Sequence, residues 1–162
     1  MARAEDTMDL FRSLRKGQAE AASAEIKPGN VLLPVNGNVV DDQVVRLACT
    51  LVRRQQGTLT LMHIIEVPRS FPLDADVNIE SSRHILDVAA DVAEQLGVQA
   101  RTEIIQARDA GATIVEEARN MGAGLILLGL PRLQRMGSPS MGRTVPYVLL
   151  HGHCRVIVVR PA

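Results

Sequence analysis

Residues 125–144 read LILLGLPRLQRMGSPSMGRT. The first four are aliphatic without a break, which suits a strand buried on both faces of a parallel sheet. Gly129 follows, and a polar loop then carries the chain to a second apolar run that starts at Val145. Residues 145–150 are expected to form a short helix, with Pro146 in the first turn, where its missing N–H is harmless. A loop that leaves a buried strand and enters a helix presents free backbone N–H groups and the positive end of a helix dipole. Gly142 lets the main chain approach a ligand closely, and Thr144 or Ser140 can cap the helix or hold a phosphate oxygen. Arg132, Arg135 and Arg143 add cations able to contact phosphate in bidentate fashion. Taken alone, the same loop reads more readily as an ordinary surface connection.

Working outward, strands and helices alternate. Residues 31–35 (VLLPV) read as a first buried strand, ended by the turn formers Asn36, Gly37 and Asn38. Apolar residues at 44, 48, 51 and 52 place a one-sided helix over 41–56, closed by Gly57. A second strand is expected over 58–67, a loop over 68–76, and a helix over 79–96 that ends at Gly97. Residues 98–106 alternate polar and apolar, as a strand at a sheet edge does. A helix over 110–121 precedes the strand 125–128, and residues 156–159 form the last strand. Such alternation predicts right-handed crossovers and a doubly wound five-stranded parallel sheet with helices on both faces. Ligands of such sheets sit outside the carboxyl ends of the strands, where the winding reverses. No internal repeat is visible. Residues 1–27 carry mixed charge and only a sparse apolar set, Met8, Leu10, Phe11 and Leu14, so they read as a peripheral helix or a disordered extension of the 28–162 domain.

Composition agrees with this picture. The chain has 162 residues, enough for one domain with a full core, and 46% are apolar although only three are aromatic. The core must therefore be aliphatic. No apolar stretch is long enough to cross a bilayer and no signal-peptide region is present, so direct membrane insertion is not expected. Cys49 and Cys154 lie far apart with no ligand or disulfide spacing, which fits a reducing, cytoplasmic setting. Eighteen basic residues balance eighteen acidic ones, which argues against a general nucleic-acid binder. The distribution is uneven: Glu117 is the last acidic residue, and six arginines follow it, from Arg119 to Arg160. Charge alone leaves two readings open, an anion-attracting region and a solvated loop.

The segments NVLLPVNGN, TLMHIIEVP, ARDAGATIVEEARNMGAGLILLG and GRTVPYVLLHGHCRVIVVR together resemble the universal stress protein family across roughly residues 30–160, in the family's own order. The resemblance implies an adenine nucleotide alpha hydrolase-like fold, homodimers that pair through the last strand and, in many members, an ATP or AMP site. The family's nucleotide motif is glycine, two residues, glycine, nine residues, glycine, then serine or threonine. Here Gly129 and Gly142 keep the spacing, Arg132 replaces the second glycine, and Arg143 takes the hydroxyl position, with Thr144 next. The strand-one aspartate of ATP-binding members is Asn36. By resemblance, Pro34, Val35 and Asn36 would lie near ribose and adenine, and Ile64 would line the base pocket. The substitutions make the loop more cationic and less open, which favours an anionic nucleotide over ATP with magnesium. The phrases EVPRSFPLDADV, ARDAG and LGLPRLQR are also similar to stress-protein domains attached to amino-acid permeases and cation antiporters, which implies a regulatory role with a membrane transporter as partner.

Other chemistries find less support. There is no GxxxxGK[ST] sequence, and the spacing around Ser138 and Ser140 does not make a nucleophile elbow. His151, His153 and Cys154 are too tightly spaced to close a tetrahedral metal site alone, so no metal site is expected. His63 within its apolar strand reads as a hydrogen-bonded core residue, and Cys49 as a small hydrophobe. Asp41 or Asp42 is expected to serve the start of its helix. The leading reading is a nucleotide-binding regulatory protein of the stress type. The alternative is a dimerisation module that binds no nucleotide, with Arg132 and Arg143 filling the phosphate space. Slow ATP hydrolysis comes last, because no well-placed general base is evident.

Overall fold

The computed structural model describes residues 29–75, 77, 79–131 and 141–160. The 1–27 extension, Arg132, Arg135, Ser138 and Ser140 lie outside the described residues. The elements run β1 (Asn30–Pro34), α1 (Asp41–Gln55), β2 (Thr58–Glu66), α2 (Ile79–Gln95), β3 (Ala100–Ala107), α3 (Ala110–Asn120), β4 (Leu125–Gly129), α4 (Thr144–His151) and β5 (Arg155–Val159). All five strands are parallel, in the order β3-β2-β1-β4-β5.

The uninterrupted aliphatic runs are strands because both sheet faces are covered. Odd residues of β1 and β4 (Val31, Leu33, Leu125, Leu127) pack with Val44, Val45, Ala48, Leu86 and Ala89 of α1 and α2. Even residues (Leu32, Ile126, Leu128) pack with Ile114, Ala118, Val145 and Val148 of α3 and α4. From β1 the chain winds outward to β2 and β3 through helices on one face. It then returns past β1 to β4 and β5 through helices on the other face. Right-handed crossovers demand this change of face when the direction of winding reverses. The reversal lies between β1 and β4, which pair through Val31–Leu125 and Leu32–Ile126.

Element limits differ from the sequence expectation by a residue or two, mostly at frayed ends. The edge position predicted for the third strand holds, since β3 pairs with β2 alone. One cap differs in kind. Gly57 was expected to close α1, but the left-handed position is taken by Gln56 at φ 52°, and Gly57 donates to the Val52 carbonyl. α2 ends as expected at Gly97, with φ +74°.

Leu32 is fully buried between β2, β4 and the helices α3 and α4. Leu32→Ala should therefore destabilise the fold by about 2–5 kcal/mol through lost burial and the cavity left behind. Urea denaturation checks this; a loss under about 1 kcal/mol would contradict the packing described.

Candidate functional site

At the winding reversal, the strand ends leave a small cleft of about 70 Å³ lined by Pro34, Asn36, Ile64, Ala110, Ile114, Leu128 and Thr144. Four of the residues singled out from the sequence meet here: Pro34 and Asn36 at the end of β1, Ile64 on β2, and Thr144 at the start of α4. The walls are hydrocarbon from Pro34, Ile64, Ile114 and Leu128, and polar groups come from Asn36 and Thr144. Such a mix of apolar walls and few convergent polar groups suits a small ligand with a polar end. A larger hollow of about 320 Å³ lies between α1 and α2, over Val39, Ile85, Val88 and Val92. It is mostly apolar and sits on the opposite side of the sheet from α4.

The other predicted residues fall into three groups. Val35 lies in the chain between two cleft residues, but its side chain is 0% exposed and packs into the core on the α1 and α2 face. Its N–H donates to the Met62 carbonyl (2.8 Å), and its own carbonyl meets His63 Nδ1 at 2.8 Å. His63 is thus a hydrogen-bonded residue of the sheet, as its surroundings suggested. Gly129 ends β4, and a Cβ there would sit 3.2 Å from Val44 Cγ2, so its smallness serves the packing of α1. Gly142 has φ +68° with open space around it, so the backbone conformation is what selects glycine there. Arg132 lies outside the described residues.

Arg143 holds the N-cap position of α4, whose side chain makes no capping bond, and Thr144 is the first helical residue. The Arg143 guanidinium reaches to 3.9 Å from the Glu66 carboxylate, with the two side chains 83% and 46% exposed. Glu66 Oε1 also accepts the Ala110 N–H at 3.0 Å, seating the carboxylate on the N-terminus of α3. Asp109 caps the same helix by accepting from the Ala112 N–H at 2.9 Å. Arg108 donates to the carbonyls of Val67 and Pro68, and Val67 N–H donates to the Ala107 carbonyl, so the end of β2 is pinned.

Neither Asp41 nor Asp42 caps α1, whose N-cap position is Val40 with no side-chain capping bond; Asp41 reaches back to the loop before the helix. Its Oδ2 accepts the N–H groups of Asn36 (2.9 Å), Gly37 (2.7 Å) and Asn38 (3.2 Å). Asp42 instead pairs with Arg46 on the exposed face. The Asn36 side chain is left at the cleft while its backbone is held from behind. Burial raises the Cys49 thiol above its ordinary range, so it stays protonated and unreactive. His151 Nδ1 meets the Tyr147 carbonyl at 2.9 Å and its ring stacks on Tyr147. Among the described residues no group of three or more His, Cys, Asp or Glu is arranged to hold a metal.

Glu66, Ala110, Ile114 and Leu128 were not singled out in the sequence. The signal was positional: Glu66 is the first charged residue after an apolar strand, and Ala110 opens a helix directly after the Asp109 cap. Both therefore fall on the carboxyl edge of the sheet, where Ile64 and Glu66, two apart on β2, face the same side.

The loop geometry yields two predictions. Gly142→Ala should lower stability by about 1–2 kcal/mol, because a Cβ at positive φ meets the following carbonyl. An unchanged melting temperature would contradict the left-handed conformation. Asp41→Ala should remove about 1–2 kcal/mol through three lost charge-assisted bonds at a partly exposed site, read by chemical denaturation. A neutral result would mean the loop is held by other means.

Comparison with known proteins agrees with this architecture. Residues 28–160 match the universal stress protein family. A universal stress protein of Methanocaldococcus jannaschii is 22% identical over 138 residues, covering 80% of this chain and 81% of that protein. Among solved structures, a universal stress protein in complex with cAMP superposes with a TM-score of 0.65 at 16% identity, over 82% of this chain and 97% of the other. The universal stress protein from Archaeoglobus fulgidus in complex with dAMP gives 0.62 at 19% identity, over 80% and 95%. The family match spans most of the chain and the fold is shared with these structures: this chain belongs to the universal stress protein family.

Proposed function

We propose that this protein binds an adenine nucleotide in the cleft at the β1–β4 reversal and passes its occupancy to a partner as a regulatory protein of the stress type. The observation that carries this reading is the convergence of Pro34, Asn36, Ile64 and Thr144, all singled out beforehand, on one cleft at the N-terminus of α4, where the Arg143 side chain makes no capping bond. The structural neighbours crystallised with cAMP and dAMP make an adenine nucleotide a natural ligand class. In this reading Pro34, Ile64 and the Asn36 side chain contact the nucleoside. The phosphate sits on the N–H groups that follow Gly142, with Thr144 and Arg143 beside it. Gly129 and Arg132 complete the loop, and Val35 contributes main chain only.

Binding and release, not catalysis, is the activity proposed. The carboxylates at the neighbouring strand ends are engaged with backbone: Glu66 caps α3 and Asp41 holds the β1 loop, so neither is poised as a general base. Transmission to a partner is assigned to a homodimer through β5, in a cytoplasmic setting, with a membrane transporter as a further partner. β5 pairs with β4 only, and the residues before it, Leu149 and Leu150, are exposed. No helix among the described residues is long and apolar enough to cross a membrane.

Calorimetric titration with AMP, cAMP and ATP tests the binding. Heat of binding is expected from at least one of them, and Gly142→Val should abolish it by blocking the loop's approach, with the melting temperature lowered by strain at φ +68° but cooperative unfolding kept. Silence with all three at millimolar concentration would instead favour the dimerisation module that binds no nucleotide. Sedimentation equilibrium should give twice the 17.6 kDa of one chain. A monomer mass at high protein concentration would contradict pairing through β5.

A further inference from the structure

The carboxyl edge of the sheet offers three groups of backbone N–H donors that could each receive an anion: the turn after β1, the N-terminus of α3 and the N-terminus of α4. The protein's own carboxylates already fill the first two. Asp41 occupies the turn through the N–H groups of residues 36–38. Glu66 and Asp109 occupy the start of α3 through Ala110 and Ala112. The start of α4 has no acidic residue in its first turn, and the side chain of its N-cap residue, Arg143, makes no capping bond. Among the described residues it is therefore the one of the three groups that no carboxylate occupies, and a fixed negative charge stands beside it.

Glu66 is placed to make that charge matter. Its Oε1 is held at 3.0 Å from Ala110 N, a residue that lines the cleft, and at 3.9 Å from the Arg143 guanidinium at the start of α4. The ion pair between two exposed side chains is weak, so Arg143 can turn from Glu66 to a phosphate at little cost. A single phosphate group takes the cation and leaves Glu66 on its helix dipole. Each additional phosphoryl group would bring at least one more negative charge to a mouth where the carboxylate remains.

We propose that Glu66 is a specificity-determining residue of the cleft, selecting adenine nucleotides with one phosphate over the triphosphate. This rests on the nucleotide reading of the site and names its substrate class. Glu66→Gln removes the charge while keeping an amide oxygen to accept from Ala110 N–H, so α3 stays capped. Its melting temperature, compared with wild type, reads whether the fold is kept.

The experiment measures AMP and ATP affinity of the wild-type protein and Glu66→Gln by calorimetry, at low salt and with a chelator, so that no divalent cation masks the phosphates. Wild type should bind AMP more tightly than ATP, and Glu66→Gln should narrow that gap by about three- to tenfold, mainly through tighter ATP binding. Raising the salt should narrow the wild-type gap in the same direction without any substitution. Equal changes in the two affinities, or ATP binding as tight as AMP binding in wild type, would overturn the selectivity while leaving the nucleotide site standing. If neither nucleotide bound either protein, the nucleotide reading would fall and the selectivity with it.

Discussion

The packing of β1 in the middle of the sheet is the constraint from which the rest follows. Val31, Leu32 and Leu33 are each no more than 1% exposed, with β2 on one side, β4 on the other and helices above and below. A strand so placed must be reached from both directions of winding. Right-handed crossovers then force α1 and α2 onto one face and α3 and α4 onto the other. The helices diverge where the direction changes, and the cleft opens there. Its position is thus a product of topology, and its chemistry is set by the residues that end the strands.

Those strand ends are occupied in an economical way. Backbone donors at the turn after β1 and at the start of α3 are satisfied by Asp41, Glu66 and Asp109, which neutralises their pull on external anions. At the start of α4 the Arg143 side chain makes no capping bond, and Gly142 just before it has a left-handed backbone at φ 68°. All three carboxylates precede Glu117, the last acidic residue, and Arg143, in the acid-free stretch after it, stands at the start of α4.

Much of this was legible in the sequence because the signals are local and physical. Uninterrupted aliphatic runs marked β1 and β4, alternation marked β3 as an edge, and glycines marked the strand-to-helix loops. Asn36 and Thr144 could be placed by their position at a strand end and a helix start, whereas Pro34 and Ile64 rested on the family resemblance. What was not legible depends on contacts between distant segments. Gln56 takes the left-handed cap position, and its N–H and that of Gly57 both donate to the Val52 carbonyl, an arrangement that composition does not encode. The resemblance placed Val35 near ribose and adenine but did not say which way its side chain points, and the structure buries that side chain on the other face. Glu66 meets Ala110 across 44 positions, a pairing that no local pattern could reveal.

The central claim is that ligand binding takes place at the β1–β4 reversal, and backbone-amide NMR during titration with AMP tests it most directly. The account predicts shifts concentrated at Asn36, Ile64, Ala110 and Thr144, with the hollow between α1 and α2 undisturbed. A shift map centred on Val39, Ile85, Val88 and Val92, or no shifts at saturating nucleotide, would contradict it.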